Sequence, residues 1–497
     1  MFKRLLYKIL MLSILLVILN FIYSKWFYEN DIQKHSDIIN LVKNIPDDAD
    51  IIYIGESSNI TFRGDDLDKR PISGFIGDYF PKLNTYNITK PASHAGIYKV
   101  LLENIPLQNK VKTVIVTLNL RSFNAQWIYS NLETSLQKSI VLIKDYPPLL
   151  NRFFLSFKAY DIKSEKEREE QFKAKWRKDE FHFDNDFQFK NVIEWDGWMW
   201  HNGIKNGNGE YDNAQTELAC HYIKTYAFEI DINNNPRIKD FNEIIELADE
   251  RGWNLVFNLL GENTTKAKEL VGDDLVFLMN KNASLLKEYF ENKGVMVINN
   301  LNAIESDQYI DQDWTTEHYA EKGRKIIAKN VANAICKWHT NDFVEPKFED
   351  NYQTSFFNDC DNGVIWGQMQ TVTSELARSG NKSSLTGKGN DFSITLEYPL
   401  KIIPDSLKNR IDIELWINQS SLNHEAQLVL EANGKDFNYY WNGFHFKSDI
   451  KNINTWEVYN KSIIIPDSIK NADLIKIYIY NPSNEKIYID DFLINIE

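Results

Sequence analysis

Asp48-Ala-Asp-Ile-Ile-Tyr-Ile-Gly55-Glu56-Ser57-Ser58-Asn59 is the stretch that decides the fold. Ile51 to Ile54 run unbroken into a glycine and a polar turn. A continuous apolar run, rather than an alternating one, is what a strand buried on both faces of a parallel sheet requires. Three later runs share the form: 111–120 (VKTVIVTLNL), 253–260 (WNLVFNLL) and 294–299 (GVMVIN). Helical spacing lies between them. It is carried by Ile244, Ile245, Leu247 and Ala248, then by Leu275, Leu278, Met279, Leu286 and Phe290. The segment 321–338 closes the series with one more helix. Strand alternating with helix predicts an α/β domain, a parallel sheet with helices on both faces.

Toward the amino terminus, Lys3, Arg4 and Lys8 precede ILMLSILLVILNFIY at 9–23. Counted out to Leu5 and Phe27, the apolar run reaches the length of a membrane-spanning helix. No small-residue cleavage pattern follows, so residues 1–28 are expected to be an uncleaved anchor rather than a signal peptide. Basic residues ahead of the span hold that end in the cytoplasm. The rest of the chain is then expected on the periplasmic or outer side of the membrane.

The α/β body is expected over 29–340. It is interrupted at about 145–235 by a polar, aromatic, Gly/Asn-rich insertion (DGWMWHNGIKNGNGEYDN) with no clean period, read as binding loops over the sheet edge. From 345 to 497 the texture changes to short alternating runs: FSITLEY, IDIELWI, AQLVLEA, LIKIYIY and KIYIDDFLINI. Such runs, separated by Asn, Gly, Pro and Ser, predict an all-β sandwich.

Composition narrows the function classes. The chain has 497 residues, 43% hydrophobic and 25% charged, which suits globular domains rather than disorder. Fifty-six basic residues against 70 acidic ones give a net charge of −14. With no basic block, no nucleic-acid partner is expected. Three cysteines without a CxxC pair make neither a disulfide scaffold nor a cysteine zinc site.

Two segments carry chemistry. Ser57, at the carboxyl end of the first strand, stands where α/β sheets bind ligands. His318, in Asp313-Trp-Thr-Thr-Glu-His318-Tyr-Ala-Glu-Lys-Gly323, precedes the last helix and has acids nearby. A histidine so placed can serve as a general base oriented by a carboxylate.

The order strand, Gly-x-Ser, then acid and His before a final helix resembles the SGNH/GDSL esterase and O-acyltransferase family over about Asp48 to Trp338. That resemblance implies a flavodoxin-like sheet and Ser57 as nucleophile, with adjacent Ser58 as the lesser alternative. It makes His318 the base and gives the oxyanion to the Ser57 amide, Asn119 and a loop glycine. The glycine position falls in Lys90-Pro-Ala-Ser-His-Ala-Gly96, at Ala92, Ser93 or Gly96. Thr315, three before His318, stands where the family has Asp. Asp313 is the expected triad acid and Glu317 the alternative. Arg121 is open between binding a sugar or anion and a loop salt bridge.

The carboxyl-terminal region resembles carbohydrate-binding jelly rolls through Phe348-Glu349-Asp350, the Ser379–Ser383 turn and Ile489-Asp490-Asp491-Phe492. The resemblance implies a structural calcium held by Glu349 and Asp491. Catalysis itself needs no cofactor. Tyr439-Tyr440-Trp441 cannot all point inward on a strand, so Tyr439 and Trp441 are expected to stack on sugar. The expected function is an anchored extracytoplasmic esterase acting on O-acyl groups, above all O-acetyl, of a polysaccharide. The alternatives are an O-acyltransferase supplied by a membrane acyl donor, and a non-catalytic glycan-binding protein on the same fold.

Overall fold

The computed structural model describes residues 2–35, 37–43, 45–133, 136, 140, 143, 147–150, 153, 163–183, 187–346, 352–361, 364–387, 389–434 and 437–497. The chain divides into two compact units: Met1–Thr61 with Pro71–Pro346, and Phe62–Arg70 with Lys347–Glu497.

The first unit is built on five parallel strands: β1 (Ala49–Gly55), β2 (Asn84–Thr89), β3 (Thr113–Leu118), β6 (Asn254–Leu259) and β7 (Met296–Asn299). Their order is β2-β1-β3-β6-β7, the flavodoxin-like arrangement. A small hairpin, β4 (Ile204–Lys205) with β5 (Tyr211–Asp212), lies in the insertion. Both faces of the sheet are covered, as the unbroken apolar runs require. Ile52 and Ile54 enter the larger core with residues of helices Ala95–Glu103 and Pro236–Arg251. Ile51 and Tyr53 point the other way and are equally buried. Each such side chain contributes roughly 1.5–3 kcal/mol through burial. Gly55 ends β1 for a steric reason. A Cβ there would meet Thr117 Oγ1 at 2.4 Å, so glycine lets β1 and β3 close at the carboxyl end of the sheet.

Two expectations about this unit are corrected. The sequence reading found four strands and missed edge strand β2, whose NTYNIT is mostly half-exposed and lacks an apolar run. The insertion, read as loops, contains helices Glu165–Lys178, Val192–Asn202 and Asn213–Tyr226. Its aromatics pack on one another: Trp195 lies within 6.0 Å of Phe181, Phe187 and Phe189, ring centre to ring centre. Gly203 ends the middle helix at φ 63°, where a Cβ would overlap the Tyr211 ring.

Helix Phe2–Trp26 is long and apolar enough to cross a membrane. Within Lys3–Trp26 an 18-residue window has a mean hydropathy of 2.4, and none of that window is buried.

The second unit is an antiparallel sandwich. One sheet runs β15-β12-β17-β10-β9 (Glu457–Ile464, Arg410–Gln419, Ile487–Ile496, Ser383–Thr386, Val372–Thr373), with β8 (Ser355–Asn358) also on β17. The other runs β11-β16-β13-β14 (Leu396–Tyr398, Leu474–Tyr480, Gln427–Gly434, Phe437–His445). Alternate residues such as Ile411, Ile413 and Leu415 fill the space between the sheets with Leu428, Leu430 and Ile477.

Candidate active site

β1 delivers Ser57 to the carboxyl edge of the parallel sheet. The chain there turns through a short 3-10 helix, Ser57–Asn59, rather than directly into an α-helix. Glu56 caps this turn, its Oε2 accepting from the Ser58 amide at 3.3 Å. Ser57 Oγ lies 3.0 Å from His318 Nε2 and 2.8 Å from Glu56 Oε2. The hydroxyl has one proton, so the histidine and the glutamate compete for it. Ser58 is fully buried and its hydroxyl has no partner among the described residues.

The acid facing His318 is Asp311, not Asp313. Asp311 Oδ2 is 2.7 Å from His318 Nδ1 and also accepts from Thr316 Oγ1. The backbone explains the spacing. Tyr309 and Tyr319 form an antiparallel bridge, and the Ile310 amide donates to the His318 carbonyl at 2.9 Å. The segment is thus a loop closed at its neck. Asp311 and His318 face each other across the neck, while Asp313 is exposed at the tip. An Asp311 carboxylate accepting from Nδ1–H leaves Nε2 free to take the serine proton.

Glu317, the alternative acid, is also displaced. It is fully buried and turned away to Arg121, whose Nη2 lies 2.5 Å from Glu317 Oε2 as an ion pair. Arg121 Nη1 donates to the Thr315 carbonyl at 2.7 Å, and its guanidinium lies 4.5 Å from the Trp127 ring centre. Arg121 is therefore a buried bridge between the β3 loop and the histidine loop. Burial is the largest influence and opposes its charge, but Glu317 together with Tyr226, Glu56 and Glu262 raises its pKa. Behind it, Tyr226 donates to Glu262 Oε2 at 2.5 Å. Burial and the neighbouring Glu317 push the Glu262 carboxyl well above the ordinary range. Glu317 is also raised by burial, with Arg121 acting against that rise.

The serine and histidine line a cavity of about 210 Å³ with Asn119, Ala92, Trp127 and Trp314. Asn119 follows β3, is 8% exposed, and its side-chain Oδ1 has no hydrogen-bond partner among the described residues. Gly96 does not reach this cavity. Its amide donates to His94 Nδ1 at 3.2 Å, capping helix Ala95–Glu103. The left-handed residue on the cavity wall is Ala92, at φ 57°. Such a backbone ordinarily favours glycine, and holding an alanine there costs roughly 1–3 kcal/mol. His94, on the same wall, lies with its Nε2 3.0 Å from Glu133 Oε2. With Nδ1 accepting an amide proton, Nε2 is the donor. Burial lowers the His94 pKa, helped by Arg237 and opposed by Glu133. Trp314 rests against His221 of the insertion, ring centres 4.0 Å apart. Sequence reasoning missed Asp311, Trp127, Trp314 and the contact from Glu56.

In the second unit, Tyr439 and Trp441 are 60% and 42% exposed on β14, while Tyr440 packs toward the core. Glu349 lies outside the described residues. Asp491 does not fit a calcium ligand. Its Oδ2 accepts from Arg378 Nη1 and its Oδ1 from Ser379 Oγ at 2.7 Å, so a cation already neutralises it. No group of three or more His, Cys, Asp or Glu side chains suited to a metal occurs among the described residues.

No protein-family model matches the chain, and no curated protein matches it. Part of the chain is similar to the C-terminal family 22 carbohydrate-binding module of Clostridium thermocellum Xyn10B. That match has 14% identity, covers 25% of this chain and 78% of that one, and has a TM-score of 0.20. The CBM22-2 xylan-binding domain of Paenibacillus barcinonensis Xyn10C is 19% identical over 29% of this chain and 99% of its own, TM-score 0.22. A cyclase from Fischerella sp. TAU is 12% identical over 26% of this chain and 69% of its own, TM-score 0.19. Xylan binding is stated for the Paenibacillus barcinonensis domain.

Proposed function

We propose that the first unit is a serine esterase that removes short O-acyl groups from a glycan. The 3.0 Å approach of Ser57 Oγ to His318 Nε2, with Asp311 on the far ring nitrogen, carries this reading. His318 takes the Ser57 proton as Oγ attacks the ester carbonyl. The oxyanion is received by the Ser57 amide and the Asn119 side chain, beside the Ala92 turn. His318 returns the proton to the departing sugar hydroxyl. Water then cleaves the acyl-serine; a second sugar hydroxyl in place of water makes the same site an O-acyltransferase.

The cavity supports a small acyl group. Its volume of about 210 Å³ falls below the roughly 300–1,000 Å³ of drug-sized ligand sites. The indoles of Trp127 and Trp314 on its wall suit the apolar face of a sugar. Exposed Tyr439 and Trp441 favour a glycan-binding role for the second unit. Phe2–Trp26 serves as the anchor, with Lys3, Arg4 and Lys8 on the cytoplasmic side and both units beyond the membrane.

A fluorophosphonate probe tests the reading. Labelling is expected at Ser57 and lost in Ser57→Ala. That variant should also turn over p-nitrophenyl acetate at least about a thousandfold more slowly. An unlabelled, folded protein without ester turnover would leave a non-catalytic glycan-binding protein, and a Ser57→Ala variant with parental turnover would overturn Ser57 as the nucleophile.

A further inference from the structure

A second cavity, of about 420 Å³, lies beside the catalytic one in the first unit. Residues adjacent in the chain line the two. Trp127 and Arg237 face the catalytic cavity. Their chain neighbours Ile128 and Pro236 line the second. Its floor includes Tyr129, Trp176 and Phe228. Trp176 is fixed there, its Nε1 donating to Asn124 Oδ1 at 3.0 Å. The rim carries Lys178, Glu180 and Asp231, all exposed.

The sizes and surfaces of the two cavities divide the work. The catalytic cavity holds an acyl group and the edge of one sugar, so a polymer must find its remaining contacts outside it. The second cavity has twice the volume. Aromatic floors match the apolar faces of sugar rings, and rim carboxylates and amines match their hydroxyls. The rim carries both signs of charge, so nothing there selects an anion. We propose that this second cavity binds neutral sugar residues of the same glycan chain whose ester reaches Ser57. The proposal rests on the acyl-transfer reading for its link to Ser57, and on the cavity alone for sugar binding.

The test uses the full chain in detergent, with variants Tyr129→Ala on the floor and Lys178→Ala/Glu180→Ala on the exposed rim. The substrates are p-nitrophenyl acetate and O-acetylated cellohexaose and xylohexaose. In both variants kcat/KM for the acetylated hexasaccharides should fall at least about tenfold relative to that for the small ester, the scale of one aromatic contact. Equal losses on both kinds of substrate, or loss on neither, would overturn the proposal. A binding arm stands apart from turnover. Calorimetry should show Ser57→Ala binding the unacetylated hexasaccharides and the Tyr129→Ala and rim variants binding them at least about tenfold more weakly. Failure of the parent to bind either hexasaccharide overturns the cavity assignment. Binding without ester turnover overturns the acyl-transfer reading and leaves the cavity standing.

Discussion

Asp311 and His318 stand seven residues apart in sequence and 2.7 Å apart in space, joined across the neck of one loop. The loop that separates them carries Asp313 outward to solvent. Replacement of Asp311 by Asn should therefore misorient the imidazole and lower kcat on p-nitrophenyl acetate by about a thousandfold or more. Asp313→Asn should retain the parental kcat. A larger loss in Asp313→Asn than in Asp311→Asn would reverse the assignment.

Asn119 sits at the end of β3 on the cavity wall. In the proposed esterase mechanism its contribution belongs to the transition state, where the oxyanion forms. Asn119→Ala should lower kcat by about 10²–10³-fold with little change in KM. A rise in KM alone, measured by steady-state kinetics, would make it a substrate-binding residue instead.

Arg121 and Glu317 form a buried ion pair that ties the loop after β3 to the loop that carries His318. Arg121→Met leaves the Glu317 charge uncompensated and should cost about 3–5 kcal/mol by denaturant unfolding. The double variant Arg121→Met/Glu317→Gln removes both charges and should recover much of that loss. An additive double variant would show that the two side chains do not interact.

Glu262 gives a pH dependence of stability. Burial raises its folded pKa well above the unfolded value, near about 4.3. The native state then keeps a proton that the unfolded chain releases. Its contribution is fully present below about pH 4.3 and is lost as pH rises through the folded pKa. Glu262→Gln is neutral at every pH and preserves an acceptor for Tyr226. Its stability relative to the parent should rise from pH 4 to pH 8 by at least about 1 kcal/mol. A flat or falling difference in denaturant midpoints across that range would place an ionised Glu262 in the native protein.

The fold was legible where one physical demand governed a whole run. Ile51 to Ile54 had to be buried on both sides, and the alternation of 411–417 and 474–480 had to pack one face of a sandwich. The edge strand Asn84–Thr89 escaped because it has one open side and so no apolar run to detect. The insertion's helices escaped because their aromatics are spent on a local cluster rather than on one stripe of a 3.6-residue period. In the second unit, exposure of Tyr439 and Trp441 beside inward Tyr440 followed from strand alternation alone.

Ser57 and His318 are separated by 261 residues. The sequence by itself determined that each stands at the end of a sheet strand or before the final helix, because hydrophobic period and turn chemistry are local properties. Which carboxylate meets the imidazole, which residue lines the wall where Gly96 was expected, and where Arg121 points were decided only by tertiary structure. Those choices depend on how loops close and on which charge finds a partner once water is excluded, and neighbours in space, not in sequence, settle both.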